Sequence, residues 1–283
     1  MSNQLMTLQE AADELGLHYM TVYKYVRTGR LDGTKSGGEW RVRADHVRRL
    51  AKVPNVSQPG RGRRTATYVE RLEDRLVDGD PMGAWSVVEG AMASGTEPAE
   101  VYVDLLVPVL RSIGSGWADG TYSIAQEHKA TAVAAGLIGR LSPRFTRRGR
   151  KRGSIVVGTP ADDQHALPVA MTADLLRAQG FRMHVLGVNV PRESFAETAS
   201  SVERLVAIAI CATTWDNEKN IRMAIRAIRN VVDVPVFLGG GAIDSVDHAE
   251  RLGADASAES MEDLVKAVDE LARKGEVPAS NRP

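Results

Sequence analysis

Between residues 153 and 275, apolar stretches alternate with helical ones, and this alternation constrains the fold more than any other feature of the chain. The apolar stretches are SIVVG, RMHVLG, LVAIAIC and VPVFLGG, with a weaker fifth near ADASA. Strands that are apolar on both faces need helices on both sides of the sheet. The pattern therefore predicts an α/β domain with a doubly wound, Rossmann-like parallel sheet. The predicted helices lie at 165–179, 192–203, 217–231, 243–252 and 259–273.

Residues 66–142 have helical periodicity and no convincing strand. Turn residues at Gly79 to Pro81, Gly95 to Pro98 and Asp119-Gly120 separate four helical stretches. Four consecutive helices with short connections predict an all-α four-helix bundle. The four stretches are TATYVERLEDRLVDG, PMGAWSVVEGAMASG, AEVYVDLLVPVLRSIGSGWADG and SIAQEHKATAVAAGLIGRLS.

The first 52 residues predict a small, mainly α-helical domain. A short helix from Leu8 to Leu15 is followed by a turn at Gly16 and a second helix from Tyr19 to about Thr28. The stretch GTKSGGEWRVR then predicts a hairpin that turns at Ser36-Gly37-Gly38. In this hairpin we expect Trp40 and Val42 to pack inward, with Lys35, Arg41 and Arg43 facing out.

Charge separates the N-terminal part of the chain from the rest. Residues 1–64 carry a net charge of +6 and the remaining residues −6, although the whole chain is neutral. A basic segment on an acidic body suggests a polyanionic partner at one end only. Composition also predicts a flexible linker at 53–65, a basic linker at 143–152 and a tail at 276–283. The basic linker is either a solvated connection or an additional phosphate contact.

Composition excludes several classes of protein. The chain has one cysteine, Cys211, which excludes a disulfide framework and thiolate metal clusters. No apolar run is long enough to span a membrane, and the N-terminus does not read as a signal peptide. We therefore expect a cytoplasmic protein.

The stretch ADDQHALP places a histidine at the carboxyl end of the first predicted strand, where parallel sheets bind ligands. Asp163 comes two residues before His165, so its carboxylate can bond one ring nitrogen and leave the other as an electron donor. This is the arrangement of a metal-binding histidine. Without further context, a polar residue at a helix start is the better explanation of this pattern.

The N-terminal pattern of helix, glycine turn, helix and basic hairpin resembles the winged helix-turn-helix of the MerR superfamily, especially its short BldC-like form. The resemblance implies that the second helix enters the major groove of double-stranded DNA and that the hairpin contacts phosphates. The alternative is a small helical adaptor with a solvated basic face. The implied DNA-binding residues are Tyr19, Thr21, Tyr23, Lys24, Lys35, Arg41 and Arg43.

The stretch DDQHALP, the turn CATTW after the third strand and the turn FLGGGAI after the fourth resemble the cobalamin-binding domain of methionine synthase and the mutases. The resemblance makes His165 the lower axial ligand of cobalt and Asp163 its hydrogen-bond partner. One position departs from the family motif, because Pro168 stands where the motif has glycine. The residues that would line the slot for the displaced nucleotide tail are Thr213, Thr214, Gly239, Gly240 and Gly241.

The segment GWADGTYSIAQEHKAT resembles the region that covers the upper face of adenosylcobalamin in the light-responsive CarH and LitR regulators. It implies that Trp117 packs on the adenosyl group, that Glu127 bonds the ribose hydroxyls and that His128 lies at the rim. In part of that group a histidine directly follows the tryptophan. Here the residue is Ala118.

Together these resemblances predict a transcriptional regulator, not an enzyme, that binds adenosylcobalamin and responds to light through photolysis of the cobalt–carbon bond. We expect a homo-oligomer, a dimer or a tetramer, because one small winged domain buries too little surface for specific DNA binding. Three alternatives remain. They are a regulator that senses cobalamin or another ligand without photochemistry, a corrinoid methyl carrier, and a regulator that has lost cobalamin.

Overall fold

The structure is a computed structural model that describes residues 5–15, 22–23, 25–26, 31–36, 39–44, 46–47, 61–258 and 267–268. The chain divides into two compact units, Met1–Arg61 and Gly62–Pro283. In the described part of the chain, no helix is both long enough and apolar enough to cross a membrane.

The first unit contains strand β1 (Leu5–Thr7), helix α1 (Leu8–Leu15) and the strands β2 (Gly33–Ser36) and β3 (Glu39–Arg43). The strands form an antiparallel sheet in the order β1-β3-β2. Its core includes residues of α1, the side chain of Val42 and residues 22 and 26, which are helical. Strand β1 is absent from our prediction, because three residues are too few to show the alternation of a strand.

Helices make up the N-terminal half of the second unit. They are α2 (Arg61–Asp78), α3 (Pro81–Ala93), α4 (Pro98–Glu100), α5 (Val107–Ala118) and α6 (Ile124–Leu141), and we call them the helical region. A 3₁₀-helix at Ser142–Phe145 follows. Helix α2 begins at Arg61, so the predicted linker 53–65 is too long at its C-terminal end. Hydrophobic periodicity could not show this, because residues 61–64 are three arginines and a glycine.

The predicted helix from Ala99 to Gly120 is interrupted. Between α4 and α5 lies a π-helical segment, Val101–Leu106, in which the N–H of Val107 bonds the carbonyl of Tyr102. Pro108 follows at the start of α5 and has no N–H to donate to the carbonyl four residues before it. The missing donor accounts for the local change of helix type.

The C-terminal half contains the predicted parallel α/β sheet, which the structure confirms. The strand order is β5-β4-β6-β7-β8, and every pair is parallel. Strand β4 is buried along its whole length, as expected for a central strand covered on both faces. The strands are β4 (Ser154–Pro160), β5 (Arg182–Val190), β6 (Leu205–Cys211), β7 (Val236–Gly239) and β8 (Ala256–Ala258).

Helices connect these strands close to their predicted positions. They are α7 (Ala166–Ala178), α8 (Arg192–Ser201), α9 (Glu218–Arg229) and α10 (Val246–Leu252). Met171 and Leu175 of α7 belong to the apolar core of the helical region, so the two halves of the second unit share a core. Of the predicted helix 259–273, residues 267–268 are described and are helical. The rest of that helix and the predicted tail 276–283 lie outside the described residues.

Candidate functional site

The candidate site lies where β4 and β6 reach the carboxyl edge of the sheet. The loop after β4 carries Asp163 and His165, and the loop after β6 carries Thr213 and Thr214. Because β4 and β6 are neighbours and parallel, their carboxyl ends lie side by side. The sheet therefore brings together residues that are about fifty positions apart in sequence.

The carboxylate of Asp163 is the centre of this arrangement. Its Oδ1 lies 2.7 Å from Nδ1 of His165 and also accepts the backbone N–H of that residue at 3.1 Å. Its Oδ2 accepts the backbone N–H groups of Thr213 at 2.6 Å and of Thr214 at 3.0 Å. Asp163 is fully buried, whereas the side chain of His165 is 53% exposed. The imidazole of His165 is thus held by Asp163 through Nδ1, and the rest of the ring is accessible to solvent.

The electrostatics of the pair favour a charged carboxylate. Burial by itself would raise the pKa of Asp163, but the hydrogen bonds from His165, Thr213 and Thr214 outweigh it and lower the pKa to about 2. The hydrogen bond to Asp163 raises the pKa of His165 and outweighs partial burial, with smaller contributions from the charges of Asp163 and Glu127. The charge of Glu127, in the first turn of α6, thus acts on His165.

Other residues that our sequence analysis did not identify support the loop. The hydroxyl of Thr159 donates to the carbonyl of Asp163 at 2.6 Å and accepts the N–H of Asn189 at 2.9 Å. Asp162 and Asn189 have positive φ angles of 66° and 52°. Asp and Asn tolerate this conformation better than other residues with a Cβ, which is the one signal in the sequence that could have marked these positions.

The three glycines at the carboxyl end of β7 have different structural roles. Gly239 is the last residue of β7. Gly240 has φ +123°, and a Cβ there would lie 2.2 Å from the carbonyl oxygen of Ala212, so the backbone itself requires glycine. A Cβ on Gly241 would meet nothing within 4 Å. Of Gly240 and Gly241, only Gly241 therefore has open space where a side chain would stand.

Two polar atoms in this site have no partner among the residues that the structure describes. The hydroxyl of Thr213 is buried and unpaired. Nδ1 of His165 is occupied by Asp163, and no described residue bonds its Nε2. An imidazole with Nδ1 held by Asp163 and Nε2 free, beside the buried unpaired hydroxyl of Thr213, fits a cobalt corrinoid that binds through the free nitrogen.

The three residues predicted for the upper face lie at adjoining ends of α5 and α6. The Trp117 side chain is 51% exposed. Glu127 bonds Nδ1 of His128 at 2.7 Å through Oε2 and accepts the hydroxyl of Thr131 at 2.8 Å through Oε1. The His128 side chain is 75% exposed. Both oxygens of Glu127 already have a partner, and Ala118 ends α5.

Pro168 does not displace the helix that follows His165. Helix α7 begins at Ala166, with His165 at its N-cap, so Pro168 lies in the first turn. The N–H groups of a first turn have no partner inside the helix, and a proline there loses no hydrogen bond.

The predicted DNA-binding residues are described only in part. Tyr19, Thr21 and Lys24 lie outside the described residues, as do Gly16 and the hairpin turn at residues 37–38. Tyr23 packs against the core of the first unit. The exposed side chains of Lys35 and Arg43 and the half-buried Arg41 lie on β2 and β3.

Comparison with known proteins identifies the domains. Residues 68–142 and 153–269 each match a family model described as a B12 binding domain, and residues 5–52 match a helix-turn-helix domain. The chain therefore combines B12-binding domains with an N-terminal helix-turn-helix domain.

Several curated relatives are corrinoid proteins. Trimethylamine corrinoid protein 1 of Methanosarcina mazei is 28% identical over 207 residues, covering 71% of this chain and 94% of the relative. Trimethylamine corrinoid protein 1 of Methanosarcina acetivorans is 29% identical with the same coverage. The solved monomethylamine corrinoid protein of Methanosarcina barkeri has a TM-score of 0.65 at 19% identity, covering 73% of this chain and 99% of that chain, and shows the shared fold.

These relatives overturn one prediction. The sequence predicts a light-responsive, DNA-binding regulator, but relatives that cover 71% to 72% of the chain are corrinoid proteins named for trimethylamine and dimethylamine. The predicted function is therefore wrong. The resemblance to CarH and LitR rested on Trp117, Glu127 and His128, a short motif at the surface of the helical region.

Proposed function

We propose that this chain is a corrinoid protein in which Nε2 of His165 is the lower axial ligand of cobalt. The observation that carries the proposal is the buried carboxylate of Asp163, 2.7 Å from Nδ1 of His165. A carboxylate in this position fixes the orientation of the ring and makes the free nitrogen a better donor. The opening at Gly241 and the unpaired hydroxyl of Thr213 support a slot for the displaced nucleotide tail.

We further infer that the chain carries a methyl group rather than catalysing its transfer. A cobalt corrinoid supplies a metal that takes up and gives off a methyl group, while the protein binds and orients the cofactor. The support is that relatives named as trimethylamine corrinoid proteins are matched over 94% of their length. In this role His165 would hold the corrinoid through Nε2, and Asp163 would orient the His165 ring.

Adenosylcobalamin is a second candidate for the bound form, and the half-exposed indole of Trp117 favours it. A flat aromatic surface near the end of α5 and the carboxylate of Glu127 at the start of α6 are side chains that suit a nucleoside. The prediction is that Trp117→Ala lowers retention of adenosylcobalamin and leaves that of methylcobalamin unchanged, as measured by absorbance after desalting. Equal losses for the two forms would remove this candidate and leave the methyl form.

Reconstitution tests the proposal as a whole. Purified protein is mixed with methylcobalamin in the dark and desalted, and the bound cofactor is measured by its visible spectrum. We expect stoichiometric retention by the wild type and by His46→Ala, a histidine of the first unit, and loss by His165→Ala. Retention of the same spectrum by His165→Ala would refute the assignment of the ligand.

The helix-turn-helix domain supports DNA as a second partner. The residues proposed to contact DNA are those of the second helix and the hairpin, and Lys35 and Arg43 are exposed on the strands. A gel-shift assay with a genomic fragment library, repeated with Lys35→Gln, tests this. Binding that weakens with added salt and in the variant supports phosphate contacts. We also propose that DNA binding involves an oligomer, which light scattering on the DNA complex would reveal.

A further inference from the structure

A groove of about 390 Å³ between α9 and α10 is lined by four arginines. We call it the arginine groove. Arg222, Arg226 and Arg229 come from α9, and Arg251 comes from the last turn of α10. Asn230 adds an amide. None of these residues belongs to the candidate corrinoid site.

The arginines of α9 form one stripe along the helix. They are spaced by four and three residues, which places them on one face. The adjacent face of α9 is buried against the sheet through Ile221, Ala224, Ile225 and Ile228. Like charges at this spacing repel each other and destabilise a helix, so helix formation does not explain the stripe.

The two outer arginines of the stripe have partners that neutralise them. Arg222 pairs with Glu218 at 3.3 Å and donates to the carbonyl of Arg251. Arg229 pairs with Asp255 and donates to the carbonyl of Val234 at 2.8 Å. These two guanidinium groups are therefore held in place by the fold.

Arg226 and Arg251 differ from the other two arginines. Both residues are exposed, and within the described ranges of the chain neither side chain makes a hydrogen bond or an ion pair. The groove thus has two fixed guanidinium groups at its sides and two that are available to a ligand.

We propose that the arginine groove binds a small molecule with a diphosphate or triphosphate group. Guanidinium groups bind phosphate oxygens in pairs of parallel hydrogen bonds, and several of them along one groove match several linked phosphates.

The surrounding carboxylates favour a short ligand over an extended polyanion. Glu218 lies at the first turn of α9, and Asp255 pairs with Arg229 at its last turn, so negative charges flank the positive stretch at both ends. A nucleic-acid backbone that runs through the groove would meet both carboxylates, whereas a diphosphate or triphosphate fits between them.

Titration calorimetry on the full-length chain tests this proposal, with inorganic pyrophosphate and triphosphate as probes at physiological ionic strength. We expect saturable binding that Arg226→Gln and Arg251→Gln each weaken by about tenfold, because each removes charged hydrogen bonds to phosphate. Both side chains are exposed, so circular dichroism should show an unchanged fold. The matched control is Arg147→Gln in the basic segment 143–152, for which we expect wild-type affinity.

Three outcomes of the titrations with pyrophosphate and triphosphate would overturn the proposal. They are the absence of saturable binding of either probe to the wild type, an equal loss of affinity in Arg147→Gln, and wild-type affinity in both groove variants. Competition with a short DNA duplex gives a further test. If the duplex displaces bound triphosphate at a lower concentration of phosphate groups than pyrophosphate requires, the groove is a nucleic-acid surface and the proposal is contradicted. The test requires no bound corrinoid, so its result is independent of the proposed function.

Discussion

The carboxylate of Asp174 on α7 accepts a hydrogen bond of 2.8 Å from the phenol of Tyr102 in the helical region. Its other oxygen accepts the hydroxyl of Ser142 at 2.8 Å and pairs with Arg177. Asp174 is buried, so these donors compensate for the loss of water around its charge. Because α7 begins directly after His165, this cluster attaches the helical region to the helix that follows the candidate cobalt ligand.

Replacement of Tyr102 by Phe should destabilise the protein. The substitution keeps the ring that stacks on Phe145 at 4.8 Å but removes one donor from the buried carboxylate of Asp174. We expect the free energy of unfolding to fall by about 1–3 kcal/mol, measured by urea denaturation. Tyr122→Phe is the control, for which we expect a smaller loss. The partner of Tyr122 is the half-buried carboxylate of Glu73, which still accepts a hydrogen bond from the hydroxyl of Ser112 in this variant. Equal losses in the two variants would contradict this account.

Cys211 should be unreactive in the native protein. Burial raises the pKa of its thiol to about 12, and the side chain lies 3.8 Å from the hydroxyl of Thr172. The thiolate, which is the reactive form, is therefore rare at neutral pH. We expect Ellman's reagent at pH 8 to modify the native chain only as fast as it unfolds, and the chain in urea at once. Rapid labelling of the native protein would show that the strand end is open.

Two neighbouring glycines should respond differently to alanine. Gly240→Ala places a Cβ 2.2 Å from the carbonyl oxygen of Ala212 and should lower the free energy of unfolding by about 1–3 kcal/mol. Gly241→Ala meets nothing within 4 Å and should change it by less than about 0.5 kcal/mol.

The same pair separates folding from cofactor binding. If the nucleotide tail passes Gly241, the stable variant Gly241→Ala should retain less cobalamin after desalting than the wild type. Wild-type retention by Gly241→Ala would place the tail elsewhere.

Asp163→Asn should weaken cofactor retention without abolishing it. The amide has the size of the carboxylate but lacks its charge, and its NH₂ group cannot accept from His165, Thr213 or Thr214 as Oδ1 and Oδ2 do. We expect retention of cobalamin between that of the wild type and that of His165→Ala. Wild-type retention of cobalamin by Asp163→Asn would contradict the proposed role of Asp163 in holding the His165 ring.

The parallel sheet could be predicted from the sequence because its signal is local and strong. Strands such as LVAIAIC are apolar throughout, and each is bounded by turn residues, so their number and direction follow from the sequence pattern. The hydrogen bond between Asp163 and His165 could also be predicted, because the two residues are close in sequence.

Other features depend on contacts between distant segments. No local pattern shows that Oδ2 of Asp163 receives the N–H groups of Thr213 and Thr214, or that Tyr102 bonds Asp174 seventy-two positions away. The function was predicted wrongly because the prediction relied on the resemblance of a short surface motif, which contains Trp117 and Glu127, to light-responsive regulators. Such motifs say less about function than matches that extend over most of the chain.

The central claim, that His165 ligates cobalt, is tested most directly by electron paramagnetic resonance of the cob(II)alamin-loaded protein. Protein labelled with ¹⁵N-histidine is compared with unlabelled protein. We predict that the nitrogen splitting of the cobalt lines changes from triplets in the unlabelled protein to doublets in the labelled one, because the axial nitrogen comes from the chain. Triplets in both samples would show that the cofactor's own base remains on cobalt and would contradict the assignment of His165.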